Sequence, residues 1–145
     1  MKKKIYKNYL LEVAWEVCNQ IGGIYTVIRS KIPAVIEHWH DNYCLIGPYF
    51  PETIGGEFEE TEEPDSPFYQ SIADLKKMGF DVHFGRWLVT GRPQVILINP
   101  VSLFHQLAEL KQLIWKKQQI DCSAADELLD QALTFGFILK SLINV

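Results

Sequence analysis

Apolar positions along the chain change their period several times, and each change marks a predicted element. Tyr9 to Ala14 is a short, mostly apolar run interrupted by Glu12, and it predicts a first strand. Trp15 to Ile21 breaks the pattern as a loop, and Gly22-Gly23 punctuates it. Ile24, Val27, Ile28, Val35 and Ile36 then recur at helical spacing. Pro33 falls inside that stripe. It lacks an N–H and clashes with the preceding turn, so the pattern predicts two helical pieces, or one kinked near Ile32, ending near His38. Tyr43 to Ile46 predicts a short buried strand stopped by Gly47-Pro48.

The next stretch, Phe50 to Ser66, holds seven acids from Glu52 to Asp65 along with Pro51, Gly55-Gly56 and Pro64. Such a run reads as a solvated surface loop. Ser71 to Met78 predicts a short helix with Gly79 at its stop. Asp81 to Trp87 and Gln94 to Ile98 read as strands joined through the turn Gly91-Arg92-Pro93, a hairpin. Leu103, Leu107, Leu110 and Ile114 form a helical stripe ending near Lys117. Ser123 is placed to cap a last helix, with Asp126 and Glu127 suiting the positive end of its dipole. That helix runs through Leu128, Leu129, Ala132, Phe135, Ile138, Leu139 and Leu142.

The order strand, helix, strand, helix, hairpin, helix, helix predicts an α/β domain with a mixed sheet. No repeat, low-complexity linker or internal domain boundary interrupts it. The apolar surface from Phe135 to Val145 has no following strand to cover it. The expectation is therefore a truncated fold, or a face that needs a partner.

Composition narrows the class. With 145 residues, 48% hydrophobic and 22% charged, the chain suits one globular domain. A formal charge of −4 disfavours nucleic-acid binding, which leaves a basic footprint. Cys18, Cys44 and Cys122 are far apart and form no CxxC, so neither a disulfide framework nor a zinc site is expected, and a reducing cytoplasm fits. Lys7, Asn8, Glu12 and Glu16 break any signal-peptide core after the basic start, and no window reaches the ~20 apolar residues of a membrane span.

Gly22-Gly23 carries the clearest chemistry. The pair follows a strand and opens a helix, where an open α/β sheet places its ligand. Two glycines permit close backbone approach, and free N–H groups at a helix start attract phosphate. The pattern is neither GxGxxG nor a P-loop, and a purely geometric tight turn is the plain alternative. Glu12 and Glu16 flank this loop as candidate acid/base or sugar-binding carboxylates, against the plainer reading of strand-edge carboxylates. His38-Trp39-His40-Asp41 invites a metal reading, but alternate residues at a helix end diverge and no third ligand is marked. His83 reads as a hydrogen-bonded sheet residue, His105 as a surface residue, and Cys18 as a packed small residue rather than a reactive thiol.

Several segments together resemble the N-terminal part of the animal and fungal type of glycogen synthases. Glu12-Val13-Ala14-Trp15-Glu16-Val17-Cys18-Asn19-Gln20-Ile21-Gly22-Gly23-Ile24-Tyr25-Thr26-Val27-Ile28 is similar to the family's opening motif. Asn42 to Tyr49 resembles its second strand and turn. His83-Phe84-Gly85-Arg86-Trp87-Leu88, with Gly91 and Pro93, resembles a third block, and Phe135-Gly136-Phe137 a fourth.

The resemblance implies a retaining glucosyltransferase that moves glucose from UDP-glucose to the non-reducing end of an α-1,4-glucan such as glycogen. It implies the GT-B architecture of two Rossmann-like domains with the active site between them. Residues 1–145 then correspond to an incomplete N-terminal Rossmann-like domain, and the donor-binding domain and the usual catalytic positions lie beyond Val145. No metal or other cofactor is implied, no membrane or nucleic-acid partner, and the whole enzyme is expected to be an oligomer. Gly22 and Gly23 match the glycine loop that approaches the donor diphosphate. Gln20 matches a position where the family usually carries a lysine, so the charge-assisted phosphate contact is lost. The expectation is a fragment inactive alone. The alternative is a degenerate, non-catalytic module that binds a partner or itself through the last helix, and an unrelated sugar-nucleotide binder is a weaker third reading.

Overall fold

The computed structural model describes residues 8–121 and 126–144, and among these five strands form one mixed sheet. The strands are β1 (Leu10–Val13), β2 (Tyr43–Pro48), β3 (Phe58–Glu60), β4 (Val82–Trp87) and β5 (Gln94–Ile98), in the order β1-β2-β5-β4-β3. β1, β2 and β5 run parallel, whereas β4 is antiparallel to both β5 and β3. The predicted hairpin is β4–β5, and the α/β class with a mixed sheet is the observed one.

β2 and β5 are buried along their whole length, because helices cover both faces. Alternation of side chains sorts the core into two layers. Cys44, Ile46, Ile96 and Ile98 face one side, under α3 (Tyr69–Lys77) and α5 (Glu127–Asn144). Tyr43, Leu45, Val95 and Leu97 face the other, under α1 (Gly23–Trp39).

Three expectations about elements need correction. First, of the two forms expected for α1 only the single helix is observed, with Pro33 inside it, and the two-piece form is set aside. Pro33 sits on the exposed side, and Tyr25, Ile28 and Ile32 anchor the opposite side to the sheet. That burial carries the helix past the missing hydrogen bond. Its end comes at His40, whose φ of 50° turns the chain while its N–H donates to the Ile36 carbonyl.

Second, the acidic stretch is not a plain solvated loop. It begins with a single helical turn, α2 (Pro51–Ile54), with proline in its first turn, and then forms β3 at the sheet edge. Gly85 of β4 permits this pairing, since a Cβ there would lie 2.0 Å from the Glu59 carbonyl oxygen. Side chains then pin the segment. Arg86 forks onto the Glu63 carboxylate, Arg92 reaches Glu59 at 3.0 Å, and His83 meets Glu60 at 3.1 Å. The acids hid the strand because charge at an exposed sheet edge is how proteins block further pairing.

Third, the apolar stripe of the last helix is not bare. Thr134, Phe135, Ile138 and Leu142 are buried, the three apolar ones in the α3/α5 core layer against the sheet. The face proposed for a partner or for self-association is thus occupied within the chain. Ser123, expected as the cap of this helix, lies outside the described residues. Asp126 does the capping there, its carboxylate accepting the Leu129 N–H at 3.0 Å. The remaining helix, α4 (Leu107–Gln118), packs on α5 and ends at Gln119, with φ 57°. Among the described residues, one apolar stripe that stays open lies at β1, where Tyr9, Leu11 and Val13 share a face at 46%, 37% and 44% exposure.

Candidate functional site

The carboxyl ends of β1, β2 and β5 lie together, and the loops that leave them build the site. The loop after β1 is drawn down onto β2. Ala14 N–H donates to the Ile46 carbonyl at 3.0 Å, and a Cβ at Gly47 would meet Val17 Cβ at 2.7 Å. Glycine at 47 is what allows this close seating. Asn19 tightens the turn by donating to the Trp15 carbonyl at 2.9 Å.

Glu16 organises the glycine loop. The residue is buried, and one carboxylate oxygen accepts the N–H groups of Ile21, at 3.2 Å, and of Gly22. Its other oxygen accepts the Tyr25 N–H at 3.0 Å. An internal anion therefore stands at the positive end of α1, satisfying donors that the helix leaves open. Gly22 lies so near this carboxylate that a Cβ would come within 3.3 Å of it, whereas a Cβ at Gly23 would meet nothing within 4 Å. Gln20, Gly22 and Gly23 are all exposed.

Tyr25 links the loop to its neighbour. Its hydroxyl donates to Glu57, whose own carbonyl accepts the Leu88 N–H at 2.7 Å. The ring lies edge-on to Trp87 at 5.6 Å, with the Arg29 guanidinium 5.3 Å from its centroid. Burial first, and then the hydrogen bond to Glu57, push the Tyr25 hydroxyl up to about 12, so it stays a donor at neutral pH.

Between the Trp15–Ile21 loop and the Phe50–Glu57 segment lies an open cleft of about 680 Å³. Trp15, Gln20, Phe50, Glu52, Glu57 and Gln131 are among the residues that line it. Trp15 stands edge-on to both Phe50, at 5.7 Å, and Phe135, at 5.3 Å. Aromatic faces beside amides and carboxylates suit a hydroxylated ligand with apolar C–H surfaces.

The other candidates fall elsewhere. Glu12 does not pair with Glu16. It accepts from the Tyr43 hydroxyl and bridges to Lys31, six residues along α1 from Tyr25 and so about 9 Å away along the axis. Cys18 is buried, with φ 54°, and desolvation pushes its thiol up, with Glu57 adding to the effect. It is an inert packed residue. His83 stacks on Tyr49 at 3.8 Å, and its Nε2 lies 2.9 Å from the Asp81 carboxylate, outside hydrogen-bond geometry. His38 is exposed beside Trp39, His40 ends α1, and His105 is exposed. Among the described residues no three His, Cys, Asp or Glu side chains stand close enough to share a metal ion, and no helix is long and apolar enough to cross a membrane.

Sequence reasoning missed Tyr25 and Glu57. They are 32 residues apart and bear no spacing signal, and Glu57 is hidden in the acid run.

Residues 12–144 match the family model described as glycogen synthase. The chain belongs to the glycogen synthase family. It is 37% identical over 127 residues to the liver glycogen [starch] synthase of Homo sapiens, covering 88% of this chain and 18% of that protein. It is 38% identical over 130 residues to glycogen [starch] synthase of Dictyostelium discoideum, covering 88% and 14%. The corresponding Neurospora crassa protein is 34% identical over 134 residues, covering 92% and 19%. The chain therefore spans less than a fifth of the length of these curated relatives. The matched glycogen synthase segment runs from Glu12 to the end of α5, and so contains the glycine loop, Tyr25, Glu57 and the whole cleft.

Proposed function

We propose that this chain supplies the N-terminal Rossmann-like part of a retaining GT-B glucosyltransferase. The complete enzyme moves glucose from UDP-glucose to the non-reducing end of an α-1,4-glucan in glycogen synthesis. The observation that carries this reading is the family match over residues 12–144, with the glycine loop and the cleft inside it. Gln20, Gly22 and Gly23 form the edge on which the donor diphosphate closes. Glu16 leaves the Gly23 N–H out of its own set of hydrogen bonds, which supports a phosphate contact at this helix start. The donor domain belongs to the remaining length of the enzyme, which works as an oligomer in the cytoplasm.

The chain by itself transfers no glucose in this reading, because it is less than a fifth of its relatives' length. The test is a chimera. The corresponding segment of the Dictyostelium relative is replaced by this chain, and transfer of radiolabelled glucose from UDP-glucose to glycogen is measured. Activity of the chimera, with none from the isolated 145 residues, is the expected result. A folded, oligomeric but inactive chimera overturns the proposal. Gln20 in place of a cation costs roughly 1–3 kcal/mol of phosphate contact. Gln20→Lys in the chimera is therefore expected to lower KM for UDP-glucose about tenfold.

A further inference from the structure

The glycine loop is filled from inside the chain. Glu16 is 6% exposed, and its two carboxylate oxygens accept three backbone N–H groups, from Ile21, Gly22 and Tyr25. Those groups span the turn and the first residues of α1, so one side chain fixes the loop at both ends. The donors that a helix start leaves open are thus satisfied internally. The same arrangement decides the sign of the charge. A helix start carries about half a positive charge, and a carboxylate carries a whole negative one. The three N–H partners of Glu16 are neutral, and the stretch from Glu16 to Tyr25 contains no lysine or arginine. The loop therefore turns a net negative charge toward its ligand, and the Gly23 N–H stands outside the Glu16 set.

We propose that Glu16 is a positioning residue with two opposed effects on the donor diphosphate: it holds the glycine loop in its binding shape before the ligand arrives, and its charge limits how tightly the loop then holds that ligand. The assignment rests on the diphosphate contact of the reading above and deepens it by naming the residue that sets its strength. The first effect is favourable, because a loop already ordered loses little entropy on binding. The anchors around it are firm: Tyr25 is held by its ring on Trp87 at 5.6 Å, and Asn19 donates to the Trp15 carbonyl at 2.9 Å. The second effect is unfavourable, because a diphosphate at Gly23 stands one peptide unit from a like charge that no neighbouring cation offsets. A donor and its nucleoside diphosphate product share this contact. Weakening both alike lets the product leave.

The test measures UDP binding by calorimetry to the folded chimera described above and to two variants of it. Glu16→Gln removes the charge and keeps an acceptor oxygen for the Ile21 and Gly22 N–H groups. Its Kd for UDP is expected to fall about tenfold, the scale of one neighbouring charge in a partly exposed site. Glu16→Asp keeps the charge and draws it back by one methylene from the groups it serves. Its Kd is expected to rise several-fold, because UDP must then order the loop on binding. Opposite signs separate positioning from a general loss of stability, which would weaken binding in both variants. In the isolated chain, the amide protons of Ile21, Gly22 and Tyr25 are expected to be protected from exchange equally with and without inorganic pyrophosphate. The proposal is overturned if both variants shift UDP affinity in the same direction, if neither shifts it, or if the three amides exchange freely until pyrophosphate is added. UDP binding needs no turnover. An inactive chimera with the opposite shifts therefore sinks the glucosyltransferase reading alone, and an active chimera without them sinks the role given to Glu16 alone.

Discussion

Glu16 has the heaviest structural duty of any single side chain near the glycine loop. Three backbone N–H groups, from Ile21, Gly22 and Tyr25, converge on one buried carboxylate. Removing it leaves donors in a partly buried setting with no acceptor. Glu16→Ala is expected to destabilise the chain by about 3 kcal/mol, read as a lower urea midpoint, and to release the amide protons of residues 21, 22 and 25 to exchange. Glu16→Gln keeps one acceptor oxygen and should lose less. An unchanged midpoint in the alanine variant would show that the loop does not depend on this carboxylate. The glycines themselves play different parts. Gly47 and Gly85 are required by close contact with Val17 and Glu59, whereas Gly23 meets nothing.

At the level of elements, the β3–β4 edge is tied by charge. The Arg86 hydrogen bonds hold the Glu63 carboxyl below the ordinary glutamate range, against a smaller opposing effect of burial, with Thr61 helping. A carboxyl lowered on folding adds stability that is present above its unfolded value, about 4.3, and is lost as pH falls through the folded one. Glu63→Gln is therefore expected to be less stable than the parent chain at pH 7 and to converge with it in acid, below about pH 4. Thermal melts across that range check the sign, and a gap that widened in acid would refute it. This edge also shows what the sequence conceals. β1, β2, β4, β5 and the helices α3, α4 and α5 were legible from period and punctuation, and α1 in its extent, because burial on one or two faces imposes a pattern, whereas the single turn α2 was not. β3 was not, because a three-residue edge strand with two glutamates buries almost nothing and is held by distant partners. The glycine loop was legible in the same way, as a break in pattern. Its occupant Glu16 could be seen only as a neighbour, and the Tyr25–Glu57 link depends on a fold that brings separate segments together.

Over the whole molecule, the two sheet edges are treated differently. β3 carries two acids, Glu59 and Glu60, in three residues, while β1 reads Leu-Leu-Glu-Val and carries one, bonded to Tyr43 and Lys31. An edge without lysine, proline or a free charge is open to added surface. With Tyr9, Leu11 and Val13 on one face, it forms the exposed apolar patch of the β1 side. Leu11→Lys is expected to lower the fluorescence of a bound apolar dye such as ANS and to leave the melting temperature within a few degrees, since the side chain is 37% exposed. Dye fluorescence unaffected by the substitution would place the exposed apolar surface elsewhere.

The layered core has one further consequence. Cys44 lies in the layer beneath α3 and α5, and Cys18 in the layer beneath α1, both as free and buried thiols. Each side of the sheet thus contains its own chemical clock. A thiol reagent reaches Cys18 only when the α1 side opens and Cys44 only when the opposite side does, so their labelling rates time the two openings separately. Equal rates at both would mean that the layers come apart as one unit, and unequal rates would identify the side that yields first.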